Sequence, residues 1–321
     1  MSTPFDPGRR AILLGAAATL AGCGPGGSGS EGPVRIGYQR AGVLLLAKAR
    51  GRLAVALQPV APGVEWVEFA AGPPLMEAMA AGSIDFGAVG DAPPIFAQAA
   101  GAPIVYAAVQ PVTGAGSALL VPPGSTLTRV ADLRGRKVAF TKATSAHLFI
   151  YHALKQAGLS LGDIQPAYLT PGDAAGAFGT GALDAWATWD PYYALAVRDQ
   201  RAQVLLTGER LPRTNAFYIA SRRFAETRPQ VLKALLDALR TEAQWGMAHI
   251  AEVAGVVGQA TGLPADIAQA ALRRGAFAVD AVSDAALAAQ QASADAFLDI
   301  GAIPARVDVK AAAWRDWAPR G

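Results

Sequence analysis

The sequence predicts an α/β protein of two lobes. Each lobe is a mostly parallel sheet flanked by helices, and a helical C-terminal tail packs back on the first. Three observations carry this reading. From residue 34 on, short apolar runs alternate with segments of helical periodicity. The alternation breaks at 111–116, where Pro111, Gly114 and Gly116 fall, and then restarts. From Pro229 the pattern is helical only, with no strand to pair. The chain therefore crosses between lobes twice, near 111–116 and 210–216. This gives a first lobe of 34–112 and 216–321 and a second of 113–215.

The elements follow in order. Residues 34–38 read as a strand and 41–49 as a short helix, then 66–69 as a strand. Pro73 and Pro74 open a helix whose Leu75 and Met79 share a face, and Gly82 ends it. A strand at 86–89 leads into Asp91-Ala92-Pro93-Pro94, which opens a helix that stops at Gly101. Residues 104–109 are the next strand. After the break, strands are expected at 118–121, 138–140, 167–169, 185–189 and 204–206, with helices at 145–157, 173–178 and 191–198. A last strand covers 217–220. In the tail, Leu232, Leu235, Leu239 and Ala243 mark one helical face. Further helices are predicted from near Pro264, after Ser283 and after Pro304. No tandem repeat of fixed period is present.

With 52% hydrophobic and 17% charged residues in 321, the chain can bury a large core. Its net charge is +3, and its lysines and arginines are scattered. Nucleic-acid partners usually require a clustered basic face, so they are not expected. Residues 1–23 read as a targeting segment. Arg9 and Arg10 precede an apolar run over 11–21, too short for a permanent membrane span. The run ends Leu20-Ala21-Gly22-Cys23, similar to a bacterial lipobox, and Cys23 is the chain's one cysteine. The expectation is an exported lipoprotein anchored through Cys23. The alternative is a plain signal peptide with a chance cysteine. Arg9-Arg10 resembles a twin-arginine signal, so the export route stays open. Residues 24–33 form a Gly/Ser/Pro tether.

In open α/β sheets, ligands bind beyond the carboxyl ends of strands. That rule gathers Gln39, Gly90-Asp91-Ala92, the turn 144–147 and Trp189-Asp190 into one cleft drawn from both lobes. The turn is Thr144-Ser145-Ala146-His147, at the start of a helix after a short strand. Helix-terminal N–H groups and positive dipole potential make such a turn an anion seat. The hydroxyls of Thr144 and Ser145 add donors. His147 reads either as a further donor or as a capping or surface histidine. Asp91 reads first as an N-cap, and it would repel an anion unless backbone N–H groups hold it or a ligand ammonium meets it. Trp189 reads either as a wall for an apolar ligand tail or as core. Trp186 belongs to the sheet–helix core, and Tyr192 and Tyr193 to helix packing.

Other chemistries find little support. The three histidines give no metal spacing: His147 and His152 lie five apart, where helical ligands stand four apart. There is no phosphate-binding loop, dinucleotide fingerprint or nucleophile elbow. Ser145 and His147 share one helix start, with no third group to orient a base. No catalytic residue, metal or cofactor is assigned, and an enzyme is the less favoured reading.

Several stretches together resemble the aliphatic sulfonate-binding proteins of bacterial ABC importers. They are GYQ at 37–39, WVEFAAGPPLMEAMAAGSIDFGAVGDAPPIFAQAAG at 66–101, KVAFTKATSAH at 137–147, DIQPAYLTPGDAAGAF at 163–178 and DAWATWDPYYA at 184–194. The resemblance runs from about residue 34 to the end. It implies the bilobal type II periplasmic binding protein fold. It also implies ligand contacts at Gln39, Gly90, Asp91, Ala92, Thr144, Ser145, Ala146, His147, Trp189, Asp190 and, on the return to the first lobe, Thr214. The serine-rich turn of the family has a glycine and three serines, whereas this chain has Ala143-Thr144-Ser145-Ala146. Gln110 stands where some relatives have an acid.

The implied function is capture of a small organic sulfonate between the lobes and delivery to an ABC permease. The implied protein is a monomer held at the membrane by its lipid anchor. A sulfonate is a monoanion with three acceptor oxygens, and helix N–H groups with hydroxyls can satisfy it without a counter-cation. Taurine, nitrate or a thiamine precursor are the alternative ligands in the same fold.

Overall fold

The computed structural model of the chain describes residues 32–275 and 277–319. The targeting segment and Cys23 lie outside the described residues. The first half of the predicted alternation appears as β1 (Val34–Tyr38), α1 (Gly42–Arg50), α2 (Arg52–Leu57), β2 (Val64–Glu68), α3 (Gly72–Ala80), β3 (Phe86–Val89), α4 (Ala92–Ala99) and β4 (Ile104–Pro111). Helix α2 is an addition to the sequence reading. Gly51 takes a left-handed conformation at the end of α1, satisfies the Ala47 and Lys48 carbonyls, and restarts the helix in a new direction.

The second half runs β5 (Ser117–Val121), β6 (Lys137–Phe140), α5 (Ser145–Gln156), β7 (Gln165–Tyr168), α6 (Pro171–Gly179), β8 (Ala185–Trp189), α7 (Tyr192–Asp199) and β9 (Gln203–Thr207). Then come β10 (Asn215–Ser221) and the tail: α8 (Arg222–Thr227), α9 (Pro229–Ala248), α10 (Ile250–Thr261), α11 (Ala265–Arg274) and α12 (Asp284–Asp299). Ser221 and Ser283 cap α8 and α12 by accepting the N–H of Phe224 and Ala286. The helix expected after Pro304 does not form. Only a single 3-10 turn, Lys310–Ala312, is present. The chain there runs along the edge of β4, where Ala313 pairs with Tyr106 and the Trp314 N–H donates to the Tyr106 carbonyl at 3.0 Å. An open sheet edge is covered in this way.

The strands form two five-stranded sheets, in the orders β2-β1-β3-β10-β4 and β7-β6-β8-β5-β9. Each is mixed through one reversed strand. β10 runs antiparallel to β3 and β4, and β5 runs antiparallel to β8 and β9. The reversed strands are the first that the chain forms after each crossing. Their direction is set by the crossing and escapes the right-handed strand–helix–strand rule that orders the others.

Each sheet is covered on both faces. On the first, Leu232, Leu235, Leu236 and Leu239 of α9 pack with Leu44 and Leu46 of α1, while α3, α4 and α12 cover the opposite face. On the second, Phe140, Phe149 and Ile150 lie on one side, and Phe178, Trp186 and Tyr193 on the other. Trp186 is core, as predicted. The tail is less confined to the first lobe than the sequence implied. Helix α11 also reaches α7 of the second, where Arg198 and Asp266 pair at 3.5 Å. The crossing segments touch at two glycines. A Cβ on Gly208 would lie 2.7 Å from the Gly114 carbonyl oxygen, so only bare backbone fits.

Candidate ligand-binding cleft

Between the lobes lies a cavity of about 360 Å³ with a mostly apolar wall. The carboxyl ends of β3 and β8 and the start of α5 open onto it, as the strand-end rule requires. Gln39, Gly90, Asp91, Thr144, Ser145, Trp189, Asp190 and Thr214 line it.

The start of α5 forms one wall. Thr144 is the N-cap residue in an extended conformation, but its hydroxyl donates to the Thr141 carbonyl at 2.7 Å and does not cap the helix. The first-turn N–H groups of Ser145 and Ala146 have no acceptor within the helix, because none precedes them by four residues inside it. The preceding residue, Ala143, has φ +59°, in the left-handed region that favours glycine. Leu148, Phe149 and His152 continue the cavity wall along α5.

The opposing wall begins at α4. Asp91 is its N-cap, 2% exposed, and its Oδ1 accepts the Ala92 N–H at 2.8 Å. Pro93 and Pro94 carry no N–H, so this helix start has little left to offer an anion. Burial pushes the Asp91 carboxyl above the usual carboxylate range, while the hydroxyls of Ser145 and Thr214 and the Ala92 N–H pull the other way. Behind it, the buried Gln290 side chain of α12 donates to the Asp91 carbonyl at 2.6 Å. Gln39 donates to the Ala88 carbonyl at 3.1 Å. Gly90 faces Ser145 so closely that a Cβ there would collide with the serine hydroxyl.

Three expected contacts lie elsewhere. Ala92 and Ala146 are buried away from the cavity wall. His147 is not a cleft donor. It is 2% exposed, and its Nδ1 accepts the Ala143 N–H at 3.3 Å. Its ring sits among Phe140 and Tyr168 of the second lobe and Phe96 and Phe297 of the first. Burial, and then the charge of Lys142, pull its pKa down to about 4. The neutral imidazole thus belongs to the packing between lobes.

Asp190 is in the cleft, but its acceptors are taken. Arg274 of α11 donates Nε and Nη2 to its two oxygens, each at 2.8 Å, and the Ala194 N–H reaches Oδ1 at 3.3 Å. The same guanidinium lies over the Tyr193 ring, 4.3 Å from its centroid. Trp189 lines the cavity and meets Tyr192 edge to face.

The sequence matches the phosphonate family of ABC-transporter periplasmic substrate-binding proteins over residues 67–261. A protein of Escherichia coli strain K12 named for binding aliphatic sulfonates is 41% identical over 291 residues, covering 88% of each chain. This chain belongs to the periplasmic substrate-binding proteins of ABC transporters. Two solved structures show the same bilobal fold. One is the periplasmic aliphatic sulphonate-binding protein SsuA of Escherichia coli. It is 39% identical with a TM-score of 0.82, and the match covers 90% of this chain and 94% of that one. The other is the alkanesulfonate-binding protein SsuA of Xanthomonas axonopodis pv. citri bound to MOPS. It is 40% identical with a TM-score of 0.84, covering 88% of this chain and 98% of that one.

This binding protein also lines its cleft with residues that the sequence reading did not single out. His152 had a signal: it follows Ser145 by seven positions, about two turns, and so shares its face. Arg40 and Arg213 had one as well, since they adjoin Gln39 and Thr214, but Arg274 had none. Arg274 meets Asp190 from 84 residues away.

Proposed function

We propose that this chain captures aliphatic sulfonates in the interlobe cleft and presents them to an ABC importer. The observation that carries the reading is the α5 helix start, with its unbonded first-turn N–H groups and the Ser145 hydroxyl, at the edge of a mostly apolar cavity. The sulfonate oxygens take those donors, and the ligand tail lies on Trp189. Thr144, Gln39 and Thr214 complete the polar end. Residues 34–112 with 216–321 act as one lobe and 113–215 as the other. Ligand touching both favours the closed form. The protein works as a monomer at the cell envelope, anchored through Cys23, and turns nothing over.

The test is calorimetric titration and thermal unfolding with alkanesulfonates, taurine and nitrate. A bound sulfonate at 100 times its Kd should add about 2.7 kcal/mol of stability. Ser145→Ala should weaken binding with the fold retained. A shift with taurine or nitrate and none with any alkanesulfonate would overturn the reading, and turnover of any ligand would make the protein an enzyme.

A further inference from the structure

Asp91 and the sulfonate share one neighbour, the Ser145 hydroxyl. A carboxylate and a sulfonate on two sides of one hydroxyl are like charges at close range, and the hydroxyl has a single proton to give. We propose that sulfonate binding takes up one proton from solvent, and that Asp91 holds it and so turns the Ser145 hydroxyl toward the ligand. The inference rests on the sulfonate reading above.

Three observations carry it. The first is burial without an ion pair. Asp91 is 2% exposed, and no cation among the described residues pairs with it. The second is a shortage of fixed donors. The backbone offers the Ala92 N–H at 2.8 Å and the N–H of Asp91 itself, while Pro93 and Pro94 add none. The buried Gln290 amide donates to the Asp91 carbonyl and not to its carboxyl. The remaining partners are the hydroxyls of Ser145 and Thr214, and a hydroxyl accepts as readily as it donates. Burial outweighs all of these donors and pushes the carboxyl above the usual range.

The third is direction. With Asp91 ionised, Ser145 turns its proton to the carboxylate and presents lone pairs to the ligand, which a sulfonate repels. With Asp91 protonated, the carboxyl donates to Ser145 and the serine proton points at a sulfonate oxygen. In the empty cleft, water solvates the carboxylate. A sulfonate displaces that water and adds a negative charge, and both changes favour the protonated form.

The other groups around this end leave the proton to Asp91. Behind it stand neutral Gln290 and Tyr106, whose phenol burial keeps protonated. Across the cavity Asp190 is paired with Arg274 at 2.8 Å, and Arg40 and Arg213 line the wall as cations. His147 on α5 takes a proton near pH 4. His152, on the same helix and on the cavity wall, is the competitor, but burial and Lys155 pull its pKa down, which leaves it neutral above pH 7.

The experiment is calorimetric titration with ethane- and hexanesulfonate, which stay monoanions throughout, from pH 5 to 9 in buffers of different ionisation enthalpy. The expected Kd rises with pH, approaching about tenfold per pH unit. The observed enthalpy should follow the buffer's, with uptake approaching one proton per ligand where that slope is steepest. In Asp91→Asn the amide mimics the protonated carboxyl and still caps α4. Its Kd should be constant across the range, with no buffer dependence, and the wild type should approach it at the acid end. His152→Gln should keep the wild-type slope. A wild-type Kd that is flat with pH and buffer overturns the proposal while the sulfonate reading stands, and this measurement needs no variant. A slope that survives Asp91→Asn, or vanishes in His152→Gln, overturns it as well. If the folded chain binds neither sulfonate at any pH, the sulfonate reading itself fails and takes the inference with it.

Discussion

Gly90 and Ser145, on opposite walls of the cleft, stand so close that a side chain on the glycine would collide with the serine hydroxyl. A methyl at residue 90 would hold the lobes apart where the ligand must bridge them. Gly90→Ala should weaken ligand binding by at least about tenfold, with little change in the stability of the empty protein. Small-angle scattering should show a more open particle. Adding Ser145→Ala should restore compactness, because the colliding atom is then gone. Independent effects of the two changes would mean that the contact does not govern closure.

The Arg274–Asp190 pair joins α11 to the end of β8 with two 2.8 Å hydrogen bonds. Its arginine side chain is 27% exposed and its aspartate 11%, so the loss of one partner strands a mostly buried charge. Arg274→Gln should cost closure roughly 1–3 kcal/mol, read as weaker ligand affinity. The wild-type protein should also lose more affinity than the variant as salt is raised. Equal salt dependence in both would remove the pair from the closure step.

His147 predicts a pH effect. The unfolded chain binds a proton at this residue near pH 6.5, while the folded chain refuses it down to about pH 4. Between those values the unfolded state holds more protons, so stability falls as pH falls, by up to roughly 3 kcal/mol from this group. Asp91 acts in the opposite sense, because its folded carboxyl keeps a proton to higher pH than in the unfolded chain. Denaturant unfolding of wild type and His147→Phe from pH 7 to 4.5 separates the two. The wild type should lose stability more steeply, and parallel curves would exclude the histidine.

Ala143 holds φ +59° just before the α5 start. A left-handed alanine costs about 1–2 kcal/mol, and glycine returns part of that through its freer unfolded chain. Ala143→Gly should therefore stabilise the protein by roughly 1 kcal/mol or less, as measured by urea unfolding. A loss of stability would show that the alanine methyl contributes packing that outweighs its backbone strain.

Much of the architecture could be read from the order of short apolar runs, because strands covered on both faces are apolar throughout. Strand direction could not. Nothing local in Phe217–Tyr218 or Leu119–Leu120 distinguishes the two reversed strands from the parallel ones. Helix α2 was hidden by Gly51, which reads as a stop and acts as a corner. The helix expected after Pro304 failed because that segment has β4 to pair with.

At the cleft, the turns were legible and the side-chain directions were not. On a helix, a residue two positions after Ser145 points about 200° away, and one seven positions after returns to within about 20°. That places His147 between the lobes and His152 on the cavity wall. Arg274 was beyond reach of local pattern, since it meets Asp190 from 84 residues away, whereas Arg40 and Arg213 adjoin Gln39 and Thr214.

Strand β10 lies between β3 and β4, pairing Phe217 with both Val89 and Val109. The place between β3 and β4 in the first sheet therefore stays vacant until the chain has been made as far as residue 221. The strands of the second sheet, by contrast, are all in hand by residue 207. During vectorial synthesis the later-encoded sheet can be complete before the earlier one is, although β2, β1 and β3 can pair as soon as residue 89 is made. Strand β4, whose one sheet neighbour is β10, must wait unpaired across more than a hundred further residues, with loop closure over that span limiting completion of the sheet. An importer's receptor built this way depends on being kept from premature burial until its whole length is available.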